Sequence, residues 1–79
     1  MVSSAINLYE AKKNAAFLVT SVPKIGLLES MGLRAGTFVT VLSRYAFGGP
    51  VLLKVEDAFA VAIGKDIATQ IAVNEVATL

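Results

Sequence analysis

The side chains that carry most protein chemistry are missing from this 79-residue sequence. It contains no histidine and no cysteine, so the usual pairs of a nucleophile and a base cannot be assembled. Zinc and ferrous iron sites built on imidazole or thiolate ligands are excluded for the same reason. The sequence therefore predicts no catalytic residue, no cofactor and no metal site, and a protein that is not an enzyme.

The acidic side chains give no clear site either. There are six: Glu10, Glu29, Glu56, Asp57, Asp66 and Glu75. Only Glu56 and Asp57 are neighbours, and adjacent residues of a strand point to opposite faces. We interpret this pair as the solvated tip of a hairpin.

A glycine-rich segment, Phe47–Pro50 (FGGP), raises the question of phosphate binding. A P-loop needs the pattern G-x-x-x-x-G-K-[ST], and a dinucleotide fold needs G-x-G-x-x-G. The segment matches neither, which favours a turn that uses positive φ angles.

Basic residues are few and dispersed. Seven Lys and Arg against six Asp and Glu give a net charge of +1, which predicts no strong field for nucleic acid or anionic lipid. The single basic–aromatic pair is Arg44 with Tyr45, whereas single-strand binders use a basic groove with several stacking rings. Binding of single-stranded nucleic acid is kept only as an alternative.

The composition is unusually apolar, with 56% hydrophobic and 16% charged residues, against about 25% charged in ordinary domains. The longest uncharged stretch, Asn14–Pro23, has ten residues, about half the length of a spanning helix. The two early lysines follow the first apolar residues, whereas a signal peptide has its charge before them. We expect a cytoplasmic protein that does not insert into a membrane.

Short strands dominate the predicted elements, because β-branched and aromatic residues cluster in runs bounded by turn residues. The predicted strands are Ala16–Val22, Thr37–Arg44, Val51–Glu56, Ala58–Ile63 and Ile71–Val76. A short helix is expected within residues 24–33, ending at Gly32 with Leu33 folded back on its last turn. Asn7 is a candidate cap of a short helix or turn, and Asn14 a candidate for positive φ.

These elements predict a mainly β fold, a small SH3-like barrel, partly closed, of about five strands with one short α-helix after the first strand. Residues 1–79 would form one domain. The inward strand faces can fill such a barrel. Apolar residues are left over on the outside, at Phe38 or Leu42, at Leu52 and at the alanines opposite Phe59, Val61 and Ile63. This surplus suggests a partner or self-association.

Four segments in the correct order resemble the ferrous iron transport protein A (FeoA) family, over about residues 8–76: LLESMGLRAGTFVTVL, FGGPVLLKV, AVAI and IATQIAV. The matching positions are Leu27, Leu28, Met31, Gly32 and Leu33 in the helix and its cap; Gly36, Thr37, Val39 and Val41; Gly48, Gly49, Pro50 and Val51; and Ala68, Ile71 and Val73. Asn14 replaces a usual glycine, Gly64 a common basic residue, and only Lys24 remains of a basic segment before the helix.

The resemblance implies a cytoplasmic barrel that binds a large membrane-embedded ferrous iron permease (FeoB) and supports or regulates uptake. Since the chain lacks histidine and cysteine, we expect an adaptor or regulator and not a carrier of Fe²⁺. A self-assembling structural protein, a homo-oligomer, is a further alternative.

The predicted partner surface joins the helix end to the segment Tyr45–Pro50, which we call the 45–50 loop. Its residues are Leu28, Met31, Gly32 and Leu33, with Tyr45, Phe47, Gly48, Gly49 and Pro50. Binding residues concentrate on loops held by a rigid scaffold, and methionine adapts well to partner surfaces.

Overall fold

Antiparallel strands build this protein, and a computed structural model describes residues 6–76 of it. The strands are β1 (Ile6–Asn7), β2 (Ala16–Ser21), β3 (Phe38–Arg44), β4 (Val51–Val55), β5 (Phe59–Ile63) and β6 (Ala72–Glu75). The helices are a 3₁₀ helix (Leu8–Glu10), α1 (Gly26–Ser30) and α2 (Lys65–Ala68).

The described strands form one sheet in the order β1-β6-β2-β3-β4-β5, with β1 and β5 at its edges. This confirms the predicted mainly β, SH3-like, partly closed architecture. The structure adds one strand to the predicted five. β1 has only two residues, Ile6 and Asn7, which pair with Val73 and Ala72 of β6, and a strand this short leaves no periodic pattern to read.

The core lies on the inner face of the curved sheet. Strand alternation predicts this face correctly: Val39 and Val41 of β3 and the odd-numbered residues of β4 are buried, as is Ile63 of β5. The remaining buried apolar residues come from β2, β6 and the connecting segments: Leu8, Ala11, Phe17, Val19, Leu28, Leu33, Ala68, Ile71 and Val73.

The outer face confirms the predicted surplus of apolar surface. Phe38, at the start of β3, is 48% exposed. Leu42, towards the other end of β3, and Leu52 of β4 are half-buried. Further along, the even-numbered alanines of β5 are exposed.

Asparagines shape the segment before β2 as expected. The Asn7 side chain accepts a hydrogen bond from the Glu10 N–H at 3.1 Å, which caps the 3₁₀ helix. Asn14 has a φ of 64° and its N–H donates to the Val41 carbonyl at 2.8 Å. An exposed ion pair of 3.1 Å between Lys12 and Glu75 joins this segment to β6.

The acidic pair Glu56–Asp57 lies at the predicted hairpin corner between β4 and β5. Both residues have positive φ, 53° and 59°, and the Ala58 N–H donates to the Val55 carbonyl. Positive φ at both central residues is typical of tight hairpin turns. The Glu56 Oε2 also accepts a hydrogen bond from the Phe38 N–H at 3.1 Å, so this carboxylate holds the hairpin against β3.

Among the helices of residues 6–76, none is long and apolar enough to cross a membrane.

Candidate functional site

The end of α1, the first half of the predicted partner surface, is a tightly bonded cap. Gly32 has a φ of +82°, and its N–H donates to the Glu29 carbonyl at 3.0 Å, while the Leu33 N–H donates to the Leu28 carbonyl at 2.9 Å. These two bonds define a Schellman motif, whose apolar contact joins the residue after the glycine to the last helical turn. Leu28 and Leu33 are accordingly both buried in the core.

A threonine of the following turn fixes this cap further. The buried Thr37 donates its hydroxyl proton to the Gly32 carbonyl at 2.9 Å, and the hydroxyl oxygen accepts from the Arg34 N–H at 3.3 Å. What α1 presents to a partner is therefore the half-buried Met31, the Gly32 backbone and Leu27, which is 58% exposed.

The second half of the predicted surface, the 45–50 loop, is exposed. Tyr45 is 53% exposed and the Phe47 side chain is fully exposed; Gly48 is exposed, whereas Gly49 and Pro50 are half-buried. The Tyr45 N–H donates to the Pro50 carbonyl at 3.0 Å, which closes the loop at its base.

The two glycines of this loop are required for different reasons. Phe47 and Gly48 have φ angles of 60° and 74°, as predicted for a turn that needs positive φ. At Gly49 the reason is space, because a Cβ there would lie 2.8 Å from the Tyr45 Cβ. The loop thus holds the Phe47 ring away from the body of the protein in a defined turn.

Two cations flank an aromatic ring below the loop. The Arg44 guanidinium lies 5.8 Å and the Lys65 Nζ 5.4 Å from the centroid of the Tyr9 ring, within cation–π range. Arg44 also donates to the Ala11 carbonyl. Sequence reasoning paired Arg44 with its neighbour Tyr45, and missed Tyr9 because this contact spans 35 positions of the chain.

The two halves of the predicted surface lie at opposite ends of β3. The α1 cap leads into Phe38 and the 45–50 loop follows Arg44, and six residue steps of a strand span about 20 Å. A single small contact would not cover both halves, so each half is a separate candidate surface.

Sequence reasoning also missed a groove beside α1. Its volume is about 400 Å³, and its walls combine the end of β2, the start of α1 and the turn after it. The lining residues are Val22, Pro23, Lys24, Ile25, Gly26, Leu28, Glu29, Leu33 and Arg34. Pro23 is the one residue of the sequence that indicates this groove. Proline cannot continue a strand, so the chain turns away from the sheet after β2.

Acidic side chains do not converge in this structure. No group of three or more Asp and Glu residues suitable for a metal ion occurs within residues 6–76.

This chain is similar in sequence to one known protein family and in structure to several solved proteins. The model of the FeoA domain matches residues 6–75. The crystal structure of an iron uptake regulatory protein, FeoA, has 27% sequence identity and a TM-score of 0.83, and the match covers 94% of this chain and 100% of that one. The solution structure of the FeoA protein from Chlorobium tepidum has 25% identity and a TM-score of 0.81, over 91% and 71% of the two chains.

The same fold also occurs inside larger proteins. A manganese-dependent transcriptional repressor shares it with a TM-score of 0.83 at 20% identity, over 96% of this chain and 44% of the repressor. At that identity the likeness concerns the fold alone. A comparison with curated protein sequences finds no match.

Proposed function

Because the chain belongs to the FeoA domain family, we propose that it is a cytoplasmic accessory protein of ferrous iron uptake, which binds a FeoB-type permease and regulates it. The observation that carries this proposal is the family match over residues 6–75. A structurally similar FeoA protein, 27% identical over its whole length, is an iron uptake regulatory protein.

Side-chain chemistry supports a role as adaptor and not as Fe²⁺ carrier or enzyme. The sequence has no histidine or cysteine, and the acidic side chains of residues 6–76 form no metal-binding group. Regulation by contact needs only a rigid scaffold that presents a recognisable surface.

The 45–50 loop is the surface that we propose contacts the permease. Its base is closed by the Tyr45–Pro50 hydrogen bond, so the loop loses little conformational freedom when it binds. The exposed rings of Phe47 and Tyr45 are of the residue types that commonly anchor protein interfaces. Of the α1 end, Met31, the Gly32 backbone and Leu27 are the parts that remain accessible to a partner.

A pull-down from membranes containing the permease tests this proposal. Phe47→Glu should abolish co-purification and leave the thermal midpoint unchanged, because the Phe47 side chain contacts solvent alone. The matched control is Phe38→Glu, which places the same charge on another exposed phenylalanine, at the far end of β3; this variant should co-purify normally.

Co-purification of the Phe47→Glu variant at the wild-type level would refute the loop as the contact. Met31→Glu then tests the α1 end by itself. Loss of co-purification in both the Phe47 and the Phe38 variants would show a surface that extends beyond the loop. Stoichiometric, tight binding of Fe²⁺ to the purified protein, measured by anaerobic calorimetry, would contradict the adaptor role.

A further inference from the structure

The sheet has an open edge at β5. β5 pairs with β4 along its whole length, from Val51↔Ile63 to Val55↔Phe59, and it has no second neighbouring strand within residues 6–76. An unprotected edge strand is a template for pairing with another chain.

The backbone groups that β5 leaves free can be identified from the hydrogen bonds of β4. The Glu56 N–H donates to the Phe38 carbonyl at 2.9 Å, so even-numbered residues of β4 direct their backbone groups to β3 and odd-numbered ones to β5. The odd-numbered residues of β5 receive them. Ala60 and Ala62 therefore direct their N–H and C=O groups away from the sheet.

Nothing in the sequence of β5 protects this edge. The strand Phe59–Ile63 (FAVAI) carries no charge and no proline, and its register with β4 shows no bulge. Its inner face is also incompletely covered: Ile63 is buried, Val61 is half-buried and Phe59 is 47% exposed. Charges, prolines and bulges are the usual means by which proteins prevent edge pairing.

We propose that β5 pairs antiparallel with β5 of a second copy of this chain, about a two-fold axis at Val61. In this register Ala60 lies opposite the partner's Ala62, and Ala62 opposite the partner's Ala60. All four free backbone groups of each edge are then paired in one continuous sheet. On the inner face, Phe59 lies opposite the partner's Ile63, which covers the exposed ring.

Other self-pairing registers fit less well. An axis at Ala60 would set Ala62 opposite the partner's Ala58. The Ala58 N–H already donates to the Val55 carbonyl, so it is not free to bond across the axis. An axis at Ala62 would set Ala60 opposite the partner's Gly64, whose carbonyl already accepts from the Ala68 N–H.

Charge favours the same arrangement and a second copy as the occupant. Asp57 lies two residues before β5 and Lys65 two residues after it. Asp57 belongs to the turn before β5, with a φ of 59°, and Lys65 is the first residue of α2. The axis at Val61 brings the turn before each β5 beside the start of the partner's α2, so that opposite charges face each other at both ends of the paired strands. A two-fold contact of one surface with itself closes at the dimer and leaves no further edge at β5.

Sedimentation velocity over a wide range of protein concentration tests the proposal. The wild-type protein should change from one mass to twice that mass as concentration rises. Ala62→Pro should stay monomeric, because it removes an N–H that points away from β4, where proline is tolerated. Ala62→Thr keeps this N–H and is the matched control, which should dimerise as the wild type does.

Amide hydrogen exchange of the wild-type protein gives a readout that does not depend on any variant folding. The Ala60 and Ala62 amides should become protected as concentration rises, while the Val61 amide, bonded to β4, is protected throughout. A protein that stays monomeric at every concentration would overturn the proposal. So would a dimer in which exchange at Ala60 and Ala62 does not change.

Discussion

One added methyl group should have opposite effects at the two glycines of the α1 region. Gly26 is the first residue of α1, and Gly32 follows the helix in the left-handed conformation, with a φ of +82°. A Cβ built at either position meets no atom within 4 Å other than those of its chain neighbours and of the helix's own backbone. The comparison therefore isolates backbone conformation from packing.

The expected magnitudes follow from that conformation. At Gly32, alanine suffers about 1–2 kcal/mol of left-handed strain, partly offset by about 0.4–1 kcal/mol from the lower entropy of the unfolded chain. The net loss is about 1 kcal/mol. At Gly26 the backbone is helical, so Gly26→Ala should stabilise the protein by about 0.5 kcal/mol.

Thermal and urea denaturation followed by circular dichroism measure both changes. For a domain of this size, Gly32→Ala should lower Tm by about 4–8 °C and Gly26→Ala should raise it by about 2–4 °C, with unchanged urea m-values. Gly32→Asn should lose less than Gly32→Ala, because asparagine tolerates positive φ. Shifts of the same sign in the two alanine variants would refute the assignment of Gly32 to the left-handed cap.

Two further predictions concern the two halves of the predicted surface. Leu28→Ala should destabilise the protein by about 2–5 kcal/mol, since Leu28 is buried. Leu27→Ala, at an exposed neighbour, should change stability by less than about 0.5 kcal/mol. Equal losses of stability in chemical denaturation would contradict this orientation of α1. Gly49→Ala should lower the free energy of unfolding by about 1–3 kcal/mol, because its Cβ would lie 2.8 Å from the Tyr45 Cβ. The substitution should also shift the Tyr45 ring resonances in an NMR spectrum. Unchanged Tyr45 resonances would show that the loop has a different shape.

The features that the sequence predicts best are those with a local cause. The sequence Gly32–Leu33 after a short apolar run predicts the helix cap, because the positive φ and the contact with Leu28 both arise within one turn of chain. Alternation predicts the inner faces of β3 and β4 for the same reason. The orientation of α1 is not predictable in this way, since both Leu27 and Leu28 are spaced to share a face with Met31. Only tertiary packing decides that Leu28 is the buried one.

The distance between the two parts of the predicted partner surface is a feature that motif similarity does not predict. Motif similarity selects the α1 cap and the 45–50 loop together, but a strand of seven residues, β3, lies between them. The predicted strand Thr37–Arg44 already implies that its two ends lie about 20 Å apart, but motif similarity alone takes no account of that distance. The Tyr9–Lys65 contact was missed for a related reason, because it depends on how the 3₁₀ helix and α2 pack together.

The position of β6 has a consequence for the order of events during synthesis. β6 lies between β1 and β2, and its Glu75 pairs with Phe17, 58 positions earlier in the chain. While the ribosome makes the intervening residues, β2 has only β3 beside it and β1 has no neighbour. The sheet is completed only once β6 emerges, so we expect the nascent chain to expose Phe17 and Val19 until then and to rely on chaperones during that interval.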